Sequence, residues 1–104
     1  MIHKQPSNDR DKVIVIFEIP GSVWADRIHL VGDFNNWDQE SLPFHHNRRD
    51  DRQVRIELER GRQYRFRYLV DGVYWHNEWG ADGHVPADDG AYDSVVIAQL
   101  TPAG

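Results

Sequence analysis

Short runs of alternating hydrophobic and polar residues dominate the chain, and no segment has a convincing helical period. Residues 54–59 read Val-Arg-Ile-Glu-Leu-Glu, and residues 64–70 read Tyr-Arg-Phe-Arg-Tyr-Leu-Val. A period of two places every second side chain on the same face of a strand. The two runs are joined by Arg-Gly-Arg at 60–62 and therefore predict a β-hairpin with Arg65 and Arg67 on its outward face.

Several other short runs predict further strands. Residues 13–19 are rich in β-branched residues and predict a strand buried on much of both faces. Residues 27–31 predict a second strand, 42–44 a short edge strand, 73–75 a return strand after the tight turn Asp71-Gly72, and 93–100 a last strand. About seven short strands separated by turn signals predict an all-β fold, an antiparallel β-sandwich.

The remaining segments are polar, except for the short connection that contains Trp24. Residues 1–11 are predicted to form a disordered N-terminal segment, residues 12–101 the folded domain, and 101–104 a tail. Residues 45–52 predict a charged turn, and 76–90 a long loop, which is a common site of function. Trp24 has apolar neighbours on both sides and is predicted to lie in the core.

Composition narrows the classes of function. A chain of 104 residues with a net charge of −5 predicts one domain and disfavours a nucleic-acid partner. The absence of cysteine excludes disulfides and thiolate zinc sites, and the absence of an apolar leader or span predicts a cytoplasmic protein without a membrane partner. Neighbouring His45 and His46 would point to opposite faces of a strand, and the spacing of Asp82, Asp88 and Asp89 does not match an EF-hand. No metal or cofactor is predicted.

Three motifs resemble one known family. They are Gly-Asp-Phe-Asn-Asn-Trp at 32–37, Arg-Tyr-Leu-Val-Asp-Gly at 67–72 followed by Tyr-Trp, and Gly-Ala-Tyr-Asp-Ser-Val-Val at 90–96. Their order and spacing resemble the isoamylase N-terminal, or early-set, glycogen- and starch-binding module, which includes the glycogen-binding domain of the AMP-activated protein kinase β subunit. The resemblance covers about residues 13–100. It implies an immunoglobulin-like sandwich of the early-set type whose surface groove holds α-1,4-glucan.

The resemblance also implies roles for individual residues. Trp37 matches the first of two aromatics that stack on glucose rings. Trp75 matches the second, although Tyr74 competes for that position because one extra residue follows the Asp-Gly turn. Arg67 matches the basic residue between the two aromatics.

Two further positions depart from the family pattern. Asp93, with Ser94 beside it, stands where family members often have an asparagine that binds sugar hydroxyls. Asp89 stands where some members have a leucine that inserts into the curl of the glucan. Trp79 or Val85 would have to supply that contact instead.

The chemistry of these side chains agrees with a sugar site. An indole is a wide, stiff surface for the C–H face of a pyranose, and a guanidinium donates several hydrogen bonds in a fixed fork. Asn36 can bind vicinal hydroxyls, whereas Asn35 is expected to shape the turn. Structural roles remain open: Trp37 could close over its own turn, Trp75 could lie in the core, and Arg67 could be a solvated strand residue.

The predicted function is therefore the non-catalytic binding of an α-glucan oligosaccharide or polysaccharide, with glycogen-metabolising enzymes as further partners. A glycoside hydrolase needs two carboxyl groups fixed across a cleft. The carboxylates near the motifs lie in a glycine-containing loop, an imprecise scaffold for catalysis, and we expect no enzymatic activity. The alternative is a protein-interaction sandwich related to, or working with, family 13 glycoside hydrolases but without sugar binding. A third hypothesis is a small hydrolase that uses the acidic loop.

Overall fold

The computed structural model describes residues 1–100, which form a sandwich of two antiparallel β-sheets. The strands are β1 (Ile2–Pro6), β2 (Lys12–Ile19), β3 (Ile28–Gly32), β4 (His45–His46), β5 (Arg52–Glu59), β6 (Gln63–Val70), β7 (Tyr74–His76), β8 (Gly83–Pro86) and β9 (Tyr92–Ile97). This confirms the predicted antiparallel β-sandwich, with nine strands in the described part instead of about seven. The predicted domain end at 101 and the predicted tail, 101–104, lie outside the described residues.

Strand β6 runs through the middle of the second sheet. The first sheet has the order β1-β2-β5-β4, and the second has the order β3-β6-β9-β8. On one side β6 pairs with β3; on the other it pairs with β9 through Gln63–Phe66 and with β7 through Tyr68–Val70. The outer face of β6 is therefore flanked by three strands.

The core lies between the two sheets and follows the predicted alternation. Val13, Val15 and Phe17 of β2 are fully buried, as is Phe66 of β6. The rings of Phe17 and Phe66 meet edge to face with their centroids 5.1 Å apart. Burial of each such side chain contributes about 1.5–3 kcal/mol. The alternation of β5 and β6 also holds, and their inward faces pack in the core. The predicted β-hairpin is wrong, however, because β5 pairs with β2 and β4 in the first sheet, whereas β6 pairs with β3, β7 and β9 in the second. The short connection at residues 60–62 therefore carries the chain from one sheet to the other.

The N-terminal segment corrects one prediction. Residues 2–6 form β1, which pairs with β2 from Ile2 opposite Phe17 to Pro6 opposite Val13. The prediction that residues 1–11 are disordered is therefore wrong for this stretch. Its side chains are mostly polar because β1 is an edge strand, and only Ile2 packs against the core.

Two short strands also differ from the sequence-based expectation. Strand β8 lies within 76–90, which was expected to be a loop, and it pairs with β9 at the edge of the sheet. The edge strand predicted at 42–44 is instead β4 at residues 45–46. Pro43 has no N–H to donate and makes only an isolated bridge to His29, while Phe44 is buried.

Trp24 contradicts its predicted core position. It is 98% exposed in the loop between β2 and β3, and its neighbour Val23 is exposed as well. The hydrophobic residues at the two ends of this loop, Ile19 and Ile28, are the ones that enter the core. Apolar sequence neighbours were therefore a misleading guide to the position of Trp24.

Candidate functional site

The turn after β3 is attached to the sandwich by a glycine and a phenylalanine. A Cβ atom on Gly32 would lie 2.5 Å from the carbonyl oxygen of Arg65, so only glycine allows this approach of β3 to β6. A 3₁₀ turn, Asp33–Asn35, follows. Phe34 within it packs against the core, with its ring 5.9 Å from that of Phe17.

The Asn35 side chain holds the turn together through four hydrogen bonds. Its Oδ1 accepts from the N–H of Gly32 at 3.0 Å. Its Nδ2 donates to the carbonyl oxygens of Leu30 and Asp38 and to Oγ of Ser41, at 3.2, 3.1 and 3.0 Å. This confirms the expectation that Asn35 shapes the turn.

Asn36 and Trp37 follow in the left-handed backbone region, with φ of 55° and 58°. The backbone N–H of Trp37 donates to Gly32 at 2.9 Å. Its indole Nε1 donates to Oδ1 of Asp33 at 3.0 Å, and Oδ2 of the same carboxylate accepts from the N–H of Arg65 at 2.8 Å. Asp33 therefore fixes the partly buried indole to its own turn and to β6.

Arg67 lies on the outer face of β6 and is only 8% exposed, because two carboxylates cover its guanidinium. Its Nε donates to Oδ1 of Asp93 at 2.7 Å. Its Nη1 and Nη2 donate to Oδ2 and Oδ1 of Asp89 at 2.8 and 3.0 Å. The alternative in which Arg67 is a solvated strand residue is therefore wrong.

Electrostatics keep this group charged. The hydrogen bonds to Asp89 raise the pKa of Arg67, although burial lowers it, and Asp93 raises it further. The same hydrogen bonds from Arg67 lower the pKa of Asp89 to about 2. Arg67 and Asp89 consequently remain ionised throughout the neutral range.

Strand β7 places the two candidates for the second aromatic, Tyr74 and Trp75, on opposite faces of the sheet. Trp75 lies opposite Leu69 on the outer face of the sheet and is 41% exposed. Tyr74 lies opposite Val70, whose side chain packs against the core, so Tyr74 is on the other face. Trp75 shares its face with Arg67, and Tyr74 does not.

These side chains meet in one open depression of about 310 Å³. It is lined by Trp37, Arg67, Trp75, Ala87, Asp88, Asp89 and Asp93. Trp37 follows β3 and Trp75 lies on β7, on opposite sides of the strand that carries Arg67. A larger depression of about 460 Å³ beside Lys4 and Asp82 has no aromatic lining.

The remaining predicted site residues lie outside this depression. Asn36 is exposed at the turn, and Tyr74 is on the opposite face of β7. Trp79 is 89% exposed, with its ring centroid 6.0 Å from that of His84. Val85, the alternative to Trp79, is paired opposite Asp93 and does not line the depression.

The sequence reasoning did not assign Asp33, Asp88 or Asp89 to the site. Asp89 was noted as a departure from the family pattern and as part of an acidic segment that does not match an EF-hand, whereas it covers the guanidinium of Arg67. The need for hydrogen-bond acceptors could have indicated these aspartates. An arginine on a sheet face and an indole N–H both need acceptors when they are buried, and aspartates lie near each motif in the sequence. Which aspartate serves which donor depends on the tertiary structure.

A second polar cluster lies apart from the depression. Glu78 is buried and accepts hydrogen bonds from the Tyr68 hydroxyl at 3.1 Å and from the N–H of Gly80 at 2.9 Å. Its own N–H donates to Oγ of Ser94 at 2.9 Å. Burial, and then the charge of Glu78, raise the pKa of Tyr68. This cluster links the loop before β8 to β6 and β9.

No protein-family model matches the chain, and no curated protein matches it. Residues 1–100 contain no group of three or more histidines and carboxylates that could hold a metal ion. The described part of the chain also has no helix with the length and apolar character needed to cross a bilayer. The depression itself is therefore the main pointer to function.

Proposed function

We propose that this chain is a non-catalytic binding module for α-1,4-glucan, such as glycogen, starch or maltodextrin. The observation that carries the proposal is the meeting of Trp37, Arg67 and Trp75 in one open depression. Indole faces pack well against the C–H faces of pyranose rings, and two of them, on either side of β6, offer contacts to more than one ring. The resemblance of the motifs to glycogen- and starch-binding modules agrees with this assignment.

Polar groups in the depression complement the indoles. The guanidinium of Arg67 has five N–H donors, and three of them are used by Asp89 and Asp93. The other two are on the Nη atoms and can donate to sugar hydroxyls. The Asp89 side chain is 58% exposed and its oxygens can accept from hydroxyls. Because the indole N–H of Trp37 already donates to Asp33, this side chain would contact a sugar through the face of its ring only.

The state of the carboxylates supports a non-catalytic role. A glycosidase needs one carboxyl with a raised pKa to protonate the leaving group and a second carboxylate across the bond. The pKa of Asp89 is lowered instead, and both Asp89 and Asp93 are bonded to Arg67. Asp82 is paired with Lys4 at 2.8 Å and also accepts from a backbone N–H. Asp82, Asp89 and Asp93 thus have structural partners.

Location and partners form a further part of the proposal. The absence of cysteine from these 104 residues fits a reducing compartment such as the cytoplasm. Glycogen-metabolising enzymes are the partners that an α-glucan-binding module would serve.

A second candidate function is supported by one observation. Trp24 and Val23 form an exposed apolar patch on the loop between β2 and β3, away from the depression. Exposed apolar patches often mark protein interfaces. A sandwich that recruits a protein partner, such as a family 13 glycoside hydrolase, through this patch would not need the sugar site.

The experiment is a titration with maltoheptaose followed by tryptophan fluorescence or calorimetry. We expect saturable binding that Trp37→Ala or Trp75→Ala weakens by roughly 1–3 kcal/mol each, by analogy with stacking of aromatics on flat nucleobases. Trp79→Ala is the matched control, because it removes an equally large indole outside the depression. Absence of any response at millimolar maltoheptaose would overturn the proposal. Capture of a fixed protein partner that survives Trp37→Ala and is lost with Trp24→Ala would favour the second candidate.

A further inference from the structure

The depression carries an excess of negative charge. Its lining has three carboxylates, Asp88, Asp89 and Asp93, and one guanidinium, Arg67, which gives a formal net charge of −2. The two indoles are neutral. A ligand in this depression therefore meets net negative charge, even though a cation lies at its centre.

The paired Nη1 and Nη2 donors that a phosphate group would use are not available to an anionic ligand. A phosphate group binds arginine best through two parallel N–H bonds, and Asp89 already occupies the Nη1 and Nη2 pair in that way. Asp93, itself 6% exposed, holds Nε from the other side. Asp89 is fixed in turn by the N–H of Ala91, which donates to its Oδ1 at 3.1 Å. Release of the guanidinium would cost three hydrogen bonds to two charged partners.

We propose that the depression selects neutral α-glucans over glucans that carry phosphate groups, and that Asp88 and Asp89 determine this specificity. The inference rests on the proposed function and adds the chemical class of glucan that the site takes. Asp89 blocks the one arginine that would attract phosphate. Asp88 has no side-chain hydrogen bond within residues 1–100, so its charge is not compensated by a direct partner.

The size of the effect follows from Coulomb's law. A phosphate with a charge of about −1.5 to −2 at roughly 7 Å from the net charge of the lining is repelled, and water and 0.15 M salt weaken the repulsion. The remaining effect is about a fivefold loss of affinity. Since the charges are near the surface, this loss should shrink as ionic strength rises.

The test compares maltoheptaose with maltoheptaose carrying a single 6-phosphate, using calorimetry on the full chain. We expect the phosphorylated sugar to bind about fivefold more weakly at 0.15 M salt and the difference to fall below twofold at 1 M. Asp88→Asn should narrow the difference by about half. Asp11→Asn is the matched control, since it removes the same charge from an exposed position outside the depression, and it should leave both affinities unchanged.

The outcomes separate this inference from the proposed function. Equal or tighter binding of the phosphorylated sugar, with maltoheptaose still bound, would overturn the selectivity alone. The same holds if Asp88→Asn and Asp11→Asn have identical effects. No binding of maltoheptaose would overturn the proposed function, and the inference with it.

Discussion

Replacing Asp93 with alanine removes the carboxylate that accepts a 2.7 Å hydrogen bond from Nε of Arg67. Both side chains are buried on the outer face of the second sheet, with 8% and 9% exposure. Loss of one partner from a buried ion pair costs about 3–5 kcal/mol, because the other charge is left without compensation. Here Asp89 keeps its two hydrogen bonds to Arg67, so the expected loss is smaller, about 2–3 kcal/mol.

Urea denaturation followed by tryptophan fluorescence measures this loss. At a slope of about 1.5 kcal/mol per molar urea, the midpoint should fall by about 1.3–2 M with the slope unchanged. Asp93→Asn retains an acceptor and loses the charge, so its midpoint should lie between those of Asp93→Ala and the unmodified chain. Asp88→Ala is the control, because it truncates an exposed carboxylate in the same depression, and it should change stability by less than about 0.5 kcal/mol. If Asp93→Ala were no more destabilising than Asp88→Ala, Arg67 would not depend on Asp93 as the structure implies.

Three further predictions concern the turn and the ion pair. Asp33→Ala removes the acceptor of the Trp37 indole, and we expect a loss of about 1–2 kcal/mol of stability together with a red-shifted fluorescence spectrum. Asn35→Ala breaks four hydrogen bonds and should cost about 2–4 kcal/mol in thermal or chemical unfolding, whereas Asn36→Gly, at a positive φ, should be neutral or stabilising by up to about 1 kcal/mol. The ion pair lowers the pKa of Asp89 to about 2 in the folded chain, below its usual value near 3.9, so the stability that it adds is complete above about pH 4 and is lost as the pH falls toward 2. Affinity for maltoheptaose should accordingly be flat from pH 5 to 8, and a titrating step in that range would contradict the assignment.

The parts of the fold that follow from local pattern were predictable from sequence. The alternation in β5 and β6 has a period of two and fixed their inward faces. The role of Asn35 also followed from turn chemistry, because an amide side chain can bond the backbone of its own turn. These features depend on neighbours in the chain.

The choice between Tyr74 and Trp75 shows where local pattern fails. A two-residue turn at Asp71-Gly72 would have paired Val70 with residue 73 and placed Tyr74 on the outer face. The actual connection has three residues, so Tyr74 pairs with Val70 and Trp75 moves to the outer face. A shift of one residue in register exchanges the two faces of a strand. The sequence did not predict the length of this turn, and so it could not predict which aromatic lies on the outer face.

Other features depend on contacts between distant segments. Strand β1 forms because the edge of β2 offers backbone partners, which polar side chains do not reveal. Asp89 reaches Arg67 across 22 positions in sequence, and nothing in its own neighbourhood predicts that pairing. Trp24 was misplaced for the same reason, since exposure is decided by which neighbours the fold supplies.

The most direct test of a glucan site is the response of the four indole N–H signals to maltoheptaose in a ¹H–¹⁵N NMR titration. Each tryptophan has one such signal, assigned by single Trp→Phe variants. We expect the signals of Trp37 and Trp75 to shift together with one saturation curve, while those of Trp24 and Trp79 stay in place. Unchanged signals for Trp37 and Trp75 at millimolar maltoheptaose, or shifts confined to Trp24 and Trp79, would contradict this expectation.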